Sequence, residues 1–111
     1  MTRPAQDPET DAFLAPLTAR LAKLRQLEAA VFWESEGWPE DPAEILEPEE
    51  IVFYLEGLVD EGFRLEWRLL ALTDSPTQPD HLRIFVWETG ADAPPADGPG
   101  WAVIDGKRHA A

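Results

Sequence analysis

The chain has 111 residues, the size of a single domain, and 44% of them are hydrophobic, which is enough for one core. Its net charge of −13 opposes binding to nucleic acid and to anionic membrane surfaces, and it favours a basic protein as partner. The absence of cysteine excludes disulfides, a thiolate nucleophile and a cysteine zinc site. Because the sequence also lacks a membrane-length apolar run and a signal-peptide pattern, we expect a cytoplasmic protein.

The first predicted element is an amphipathic helix that follows a flexible lead-in over residues 1–9. Thr10 or Asp11 would cap it, and its regular part would run from Ala15 to Trp33. The helix is predicted because apolar residues recur at spacings of three and four, which places them on one stripe. These residues are Leu14, Leu17, Leu21, Leu24, Leu27 and Val31.

An acidic stretch overlaps the end of this helix and continues far beyond it. From Gln26 to Phe63 there are twelve Asp and Glu residues and no Lys, Arg or His. Within it, residues 34–44 contain two prolines and one glycine, which predicts a loop around Trp38. A short helical turn is expected near residues 43–46.

The second predicted helix has clear start and stop signals. Pro48 suits the first helical position, and the acids after it face the positive end of the helix dipole. Gly62 ends the helix, and Phe63 beyond it would fold back as the hydrophobic contact of a C-cap. Gly57 inside the helix suggests a close approach by another element. The predicted buried residues are Ile51, Val52, Leu55, Leu58 and Val59.

After the second helix we predict strands, because apolar and polar residues alternate there with a period of two. Residues 63–72 and 81–89 form the predicted hairpin around the turn DSPTQPD, and residues 101–105, WAVID, form a third strand before a flexible tail at 106–111. We therefore expect one domain over residues 1–111. Its fold would be α+β, with two helices packed on a small three-stranded antiparallel sheet in the order ααβββ.

The hairpin has large apolar residues on both faces, so one face must be covered by something other than the helices or serve as a binding surface. The pattern leaves the register open. In one register Phe85 or Trp87 lies near Arg64 and Arg68, and in the other Leu70 and Leu72 lie near Ile84 and Val86. Because two helices leave little chain to cover the second face, we predict a homodimer through it.

Motifs for catalysis are missing. Ser35 and Ser75 lack the glycine-flanked context of a nucleophile elbow, and His81 and His109 lack metal-ligand spacing. We therefore predict no catalytic residues, no metal and no cofactor. A helix followed by a hairpin also occurs in winged-helix DNA-binding domains. The helix that would enter the DNA major groove here carries six acidic residues and no basic one, so we do not expect DNA binding by this route.

The remaining candidate function is protein binding. On the second helix, Phe53 lies away from the buried stripe among Glu49, Glu56 and Asp60, which is typical of an aromatic anchor ringed by charge. Alternatively, the first helix or the loop around Trp38 covers Phe53. The full set of candidate protein-binding residues is Phe53, Glu49, Glu56, Asp60, Trp38, Phe85 and Trp87.

These observations favour a small acidic, non-enzymatic module that binds a basic protein partner, of the inhibitor, immunity or chaperone-adaptor kind. Two alternatives remain open. One is an acidic mimic of nucleic acid that occupies a DNA- or RNA-binding protein. The other is a small ligand-binding domain or enzyme with a pocket between helices and sheet. No direct contact with nucleic acid or membrane is expected.

Overall fold

The computed structural model describes residues 8–74, 81–94 and 100–109. Along these residues the helices are α1 (Pro8–Lys23) and α2 (Pro48–Asp60), and a 3₁₀ turn covers Glu34–Glu36. The strands are β1 (Ala29–Trp33), β2 (Glu44–Leu46), β3 (Arg64–Leu72), β4 (His81–Trp87) and β5 (Trp101–His109).

The described strands form one five-stranded mixed sheet in the order β2-β1-β4-β3-β5. The β1–β4 pair is parallel, and the other pairs are antiparallel. The predicted α+β class is confirmed. The predicted three-stranded antiparallel sheet and the order ααβββ are wrong, because two strands lie in the segments read as helix and loop.

The first of these strands replaces the end of the predicted first helix. Helix α1 ends at Lys23 rather than Trp33, and Val31 is a strand residue. The run Ala29–Trp33 consists of five consecutive apolar residues, which is typical of a strand covered on both faces and paired in parallel. Over so short a run, the spacing of Leu24, Leu27 and Val31 could not distinguish helix from strand.

The second strand, β2, lies where a helical turn was predicted. It pairs with β1, with Ala30 opposite Ile45, and it forms one edge of the sheet. The predicted loop before it contains the 3₁₀ turn at Glu34–Glu36.

Helix α1 is attached to the sheet by packing and by a buried hydrogen bond. Phe13, Leu14 and Leu17 are core residues, and Trp67 Nε1 donates a hydrogen bond of 2.8 Å to the Phe13 carbonyl oxygen. Thr10, predicted as a possible cap, is instead a buried residue inside the helix.

Helix α2 begins and ends as predicted. A capping box joins Glu47 and Glu50, and the Glu47 backbone N–H donates to Glu50 Oε1 at 3.0 Å. Gly62 adopts φ +92°, and the Phe63 N–H donates to the Leu58 carbonyl at 3.1 Å, which is the 6→1 bond of a Schellman motif.

Strand β5 extends beyond the predicted WAVID segment to His109, so residues 106–109 belong to the sheet rather than to a tail. His109 is buried, with its Nε2 atom 3.1 Å from Thr10 Oγ1 and its ring packed edge-on against Phe13 at 5.4 Å. The predicted tail residues 1–7 and 110–111, and most of the predicted turn (75–80), lie outside the described residues.

The register of the hairpin separates two faces of the sheet. Trp67 is opposite Ile84, and both belong to the core that the helices cover. Glu66 is opposite Phe85 and Arg64 is opposite Trp87 on the other face, which corresponds to the first of the two predicted registers.

Candidate protein-binding site

Two regions contain the residues singled out in the sequence. One is the sheet face opposite the helices, and its centre is the buried cluster Phe32, Phe85 and Trp87, here called the aromatic face. Phe32 and Phe85 are opposite each other in the parallel pair and stack with a centroid distance of 5.6 Å. Phe85 is 7% exposed and Trp87 is 6% exposed.

Trp38 covers part of the aromatic face. Gly37 at φ +80° and Trp38 at φ +50° turn the chain so that the indole ring lies 5.8 Å from Phe85 and 6.4 Å from Trp87. A left-handed backbone costs a tryptophan about 1 kcal/mol. The ring contacts offset that cost, since aromatic pairs contribute a similar amount beyond their buried area.

Arginines cover the aromatic face further. The guanidinium of Arg68 lies 4.6 Å from the Phe85 centroid, and that of Arg108 lies 5.4 Å from the Trp87 centroid. Both arginines form ion pairs with the buried carboxylate of Glu66, and Arg108 Nε donates to Glu66 Oε1 at 2.7 Å. Glu66 is therefore paired with Arg68 and Arg108, and both arginines also contact the rings of the face.

The structure thus brings Trp38, Phe85 and Trp87 together, as one group, away from α2. Trp38 is half-buried, and the other two rings have little exposed surface left for a partner. Their role in binding, and the dimer through this face, stay predictions.

The second region is a groove of about 530 Å³ between α2 and the edge strand β2, here called the acidic groove. Four carboxylates, two aromatic rings and a glycine are among the residues that line it. The lining residues are Glu44, Leu46, Glu49, Glu50, Phe53, Tyr54, Gly57, Leu58 and Glu61.

Phe53 is 82% exposed, so neither α1 nor the loop around Trp38 covers it. A large aromatic ring left in water is uncommon, because burying it would stabilise the fold by about 2 kcal/mol. Gly57 lies one turn further along α2 and is also exposed, and apart from its chain neighbours and the nearby backbone of α2 no atom lies within 4 Å of the position its Cβ would take. The predicted close approach at Gly57 is therefore wrong, and the missing side chain instead keeps the groove open.

The carboxylates at the start of α2 repel one another. The pKa of Glu47 is raised from its ordinary value of 4.5, first by a hydrogen bond with Glu49 and then by the negative charges of Glu49, Glu50 and Glu28. A cation placed beside these groups would relieve the repulsion.

Tyr54 connects the groove to the edge strand. Burial raises the pKa of its hydroxyl, and a hydrogen bond with Glu44 raises it further, so the phenol stays protonated far above neutral pH. Because the phenol is neutral, Tyr54 adds no charge of its own to the groove.

Of the four predicted site residues on α2, the structure places two in the acidic groove and two outside it. Glu49 and Phe53 line the groove, whereas Glu56 and Asp60 lie on the same helix but do not. The sequence prediction missed Glu44, Glu50, Tyr54 and Glu61. The helical spacing of Glu50, Tyr54, Gly57 and Glu61 could have identified three of them, but Glu44 could be found only once β2 was placed.

Two further features, a metal-binding cluster and a membrane-length apolar helix, are absent from the described part of the chain. Within residues 8–74, 81–94 and 100–109, no group of three or more Asp, Glu or His side chains is placed to hold a metal ion. No described helix combines the length and apolarity needed to span a bilayer. Comparison with protein families, with curated proteins and with solved structures finds no match.

Proposed function

We propose that this protein is a non-enzymatic interaction module whose acidic groove binds a basic protein partner. The observation that carries the proposal is Phe53, which is 82% exposed in a groove that four carboxylates line. An exposed aromatic ring surrounded by charge has the composition of an interface hot spot, where the ring supplies affinity and the charges supply orientation.

The charge arrangement along α2 also supports a cationic ligand. Glu61 lies at the C-terminal end of the helix, where the dipole disfavours negative charge. The four carboxylates that line the groove belong to Glu44, Glu49, Glu50 and Glu61, and all four are attracted to positive charge. Lys or Arg residues of a partner would place that positive charge beside them.

The test is affinity capture from source-cell lysate at low and high salt, with wild type and two groove variants. Phe53→Ala removes the anchor, and the double variant Glu49→Gln/Glu61→Gln removes two charges from the groove. We expect wild type to retain a basic protein at low salt and to lose it as salt rises. Phe53→Ala should weaken binding about thirtyfold, the effect of a hot-spot residue.

Matched control variants distinguish binding through the groove from a general effect of the protein's negative charge. Val103→Ala removes another exposed apolar side chain, 53% exposed on β5, and Glu88→Gln/Asp92→Asn removes two charges from the exposed loop after β4. Both controls should bind as wild type does. Retention of no basic protein at low salt, or equal losses in groove and control variants, would contradict the proposal.

A further inference from the structure

The edge strand β2 borders the acidic groove, and its outer edge is open within the described part of the chain. In the sheet order β2-β1-β4-β3-β5, β2 has β1 on one side and no described strand on the other. Such an edge presents backbone N–H and C=O groups to which an extended segment can pair. Peptide recognition by strand addition uses this kind of edge.

The two sides of β2 differ in chemistry. Glu44 and Leu46 line the acidic groove on the helix side. Ile45 is opposite Ala30, which packs against the aromatic face, and it is 55% exposed. A strand added beside β2 would therefore have acids next to one of its faces and an exposed isoleucine next to the other.

From this arrangement we infer that the partner binds as an added strand on β2, through a segment in which Lys or Arg alternates with an apolar residue. Side chains of a strand point alternately to opposite faces, so every second residue would meet the groove carboxylates. The intervening residues would cover Ile45. Because β2 has three residues, backbone pairing alone is short, and the groove contacts must supply much of the affinity.

A second copy of this chain is a poor occupant of the same edge. Its net charge is −13, and docking it against four carboxylates would bring like charges together. Charge complementarity therefore favours a basic segment of another protein. Because the inference rests on the function proposed above, its test uses defined peptides rather than the cellular partner.

The first probe is the capped peptide Val-Arg-Val-Arg-Val-Arg-Val, compared with a permuted peptide of the same composition in which the arginines are contiguous. Binding to the full chain is measured by fluorescence anisotropy at low salt, and the bound position is mapped by backbone NMR shifts. We expect the alternating peptide to bind about tenfold more tightly and to shift Glu44–Leu46. Ile45→Ala should weaken it severalfold, while the control Val103→Ala should leave it unchanged.

The decisive probes are two backbone N-methylated versions of the alternating peptide. In a strand, the N–H groups of successive residues point to opposite edges. N-methylation of all the arginines therefore blocks one edge of the peptide, and N-methylation of all the valines blocks the other edge. One version should lose about tenfold in affinity, the effect of losing a few hydrogen bonds, and the other should bind nearly as well as the parent.

Three results would overturn the inference. Two are equal affinity of the permuted peptide and equal effects of the two N-methylation patterns. The third is a dimer of the free protein whose interface protects Glu44–Leu46, which would make a second copy the occupant. If the inference fails while cellular capture still depends on Phe53 and on the groove charges, the proposed function stands and only strand addition is rejected.

Discussion

On the aromatic face, Phe85 and Trp87 lie beneath arginines that are themselves paired with Glu66, whereas in the acidic groove Phe53 lies in water among carboxylates. Both regions combine aromatic rings with charged side chains. They differ because the face is assembled from four strands, β1, β3, β4 and β5, that bring both signs of charge together, while every charged residue of the segment that forms the groove is an acid. The same residue types therefore form a buried face with paired charges where the fold brings both signs together, and an exposed ring where only acids line the groove.

The largest expected difference is in stability after truncation of one ring in each region. Phe85→Ala should lower the free energy of unfolding by about 3–5 kcal/mol, because it removes a buried ring together with its arginine contact. Phe53→Ala should change it by less than about 0.5 kcal/mol, because the ring is exposed. Urea denaturation followed by circular dichroism measures both changes. Similar losses in the two variants would show that the two rings contribute equally to stability, contrary to this expectation.

The next difference concerns single carboxylates. Glu66→Gln removes the carboxylate that pairs with the buried guanidinium of Arg68 and should destabilise the fold by about 3 kcal/mol. Glu61→Gln in the exposed groove removes the same charge and should change stability by less than about 0.5 kcal/mol. Thermal and urea unfolding of the two variants would test this, and an equally mild Glu66→Gln variant would show that its ion pairs are dispensable.

A smaller effect of opposite sign is expected at Gly57. Gly57→Ala should stabilise the protein by about 1 kcal/mol, because alanine favours the helix and its Cβ would meet open space. Gly62→Ala, the matched control at φ +92°, should destabilise it because alanine is strained there. The same urea titrations measure both changes, and a destabilised Gly57→Ala variant would contradict the open groove.

The smallest expected effect is the pH dependence that the groove acids create. The folded-state pKa of Glu47 is raised above its ordinary 4.5, so the folded protein holds this proton more tightly than the unfolded chain does. The contribution of Glu47 protonation to the free energy of unfolding is therefore fully present below about pH 4.5, and it is lost as pH rises through the folded-state pKa. Glu49→Gln removes the negative charge of Glu49, which is the second-largest cause of the shift, so the stability of this variant should fall less over this range than that of wild type.

The control for this pH dependence is Glu61→Gln, because Glu61 is not among the causes of the Glu47 shift. Urea denaturation from pH 4 to 7 gives the free energy of unfolding of each variant. Superimposable pH profiles for Glu49→Gln and Glu61→Gln would remove the proposed repulsion at the start of α2.

Several features of the fold follow from chemistry that is local in the chain. Pro48 and Gly62 delimit α2, the alternation from Arg64 to Leu72 specifies β3, and the helical position of Phe53 places it away from the buried stripe of α2. Whether another element covers Phe53 was left open by the sequence, and the tertiary structure leaves it 82% exposed. These signals lie within a few residues of the structure that they specify. The acid-only segment from Gln26 to Phe63 was likewise visible at once.

Other features depend on contacts between residues that are far apart in the sequence, and these are visible only in the tertiary structure. The segment Ala29–Trp33 becomes a strand because β4 and β2 pair with it and both of its faces are covered. Phe85 and Trp87 are buried because Trp38, Arg68 and Arg108 reach them from other parts of the chain. The acidic groove exists because β2 brings Glu44 beside α2, and no local pattern carries that information, since pairing between strands is a contact across the sequence rather than along it.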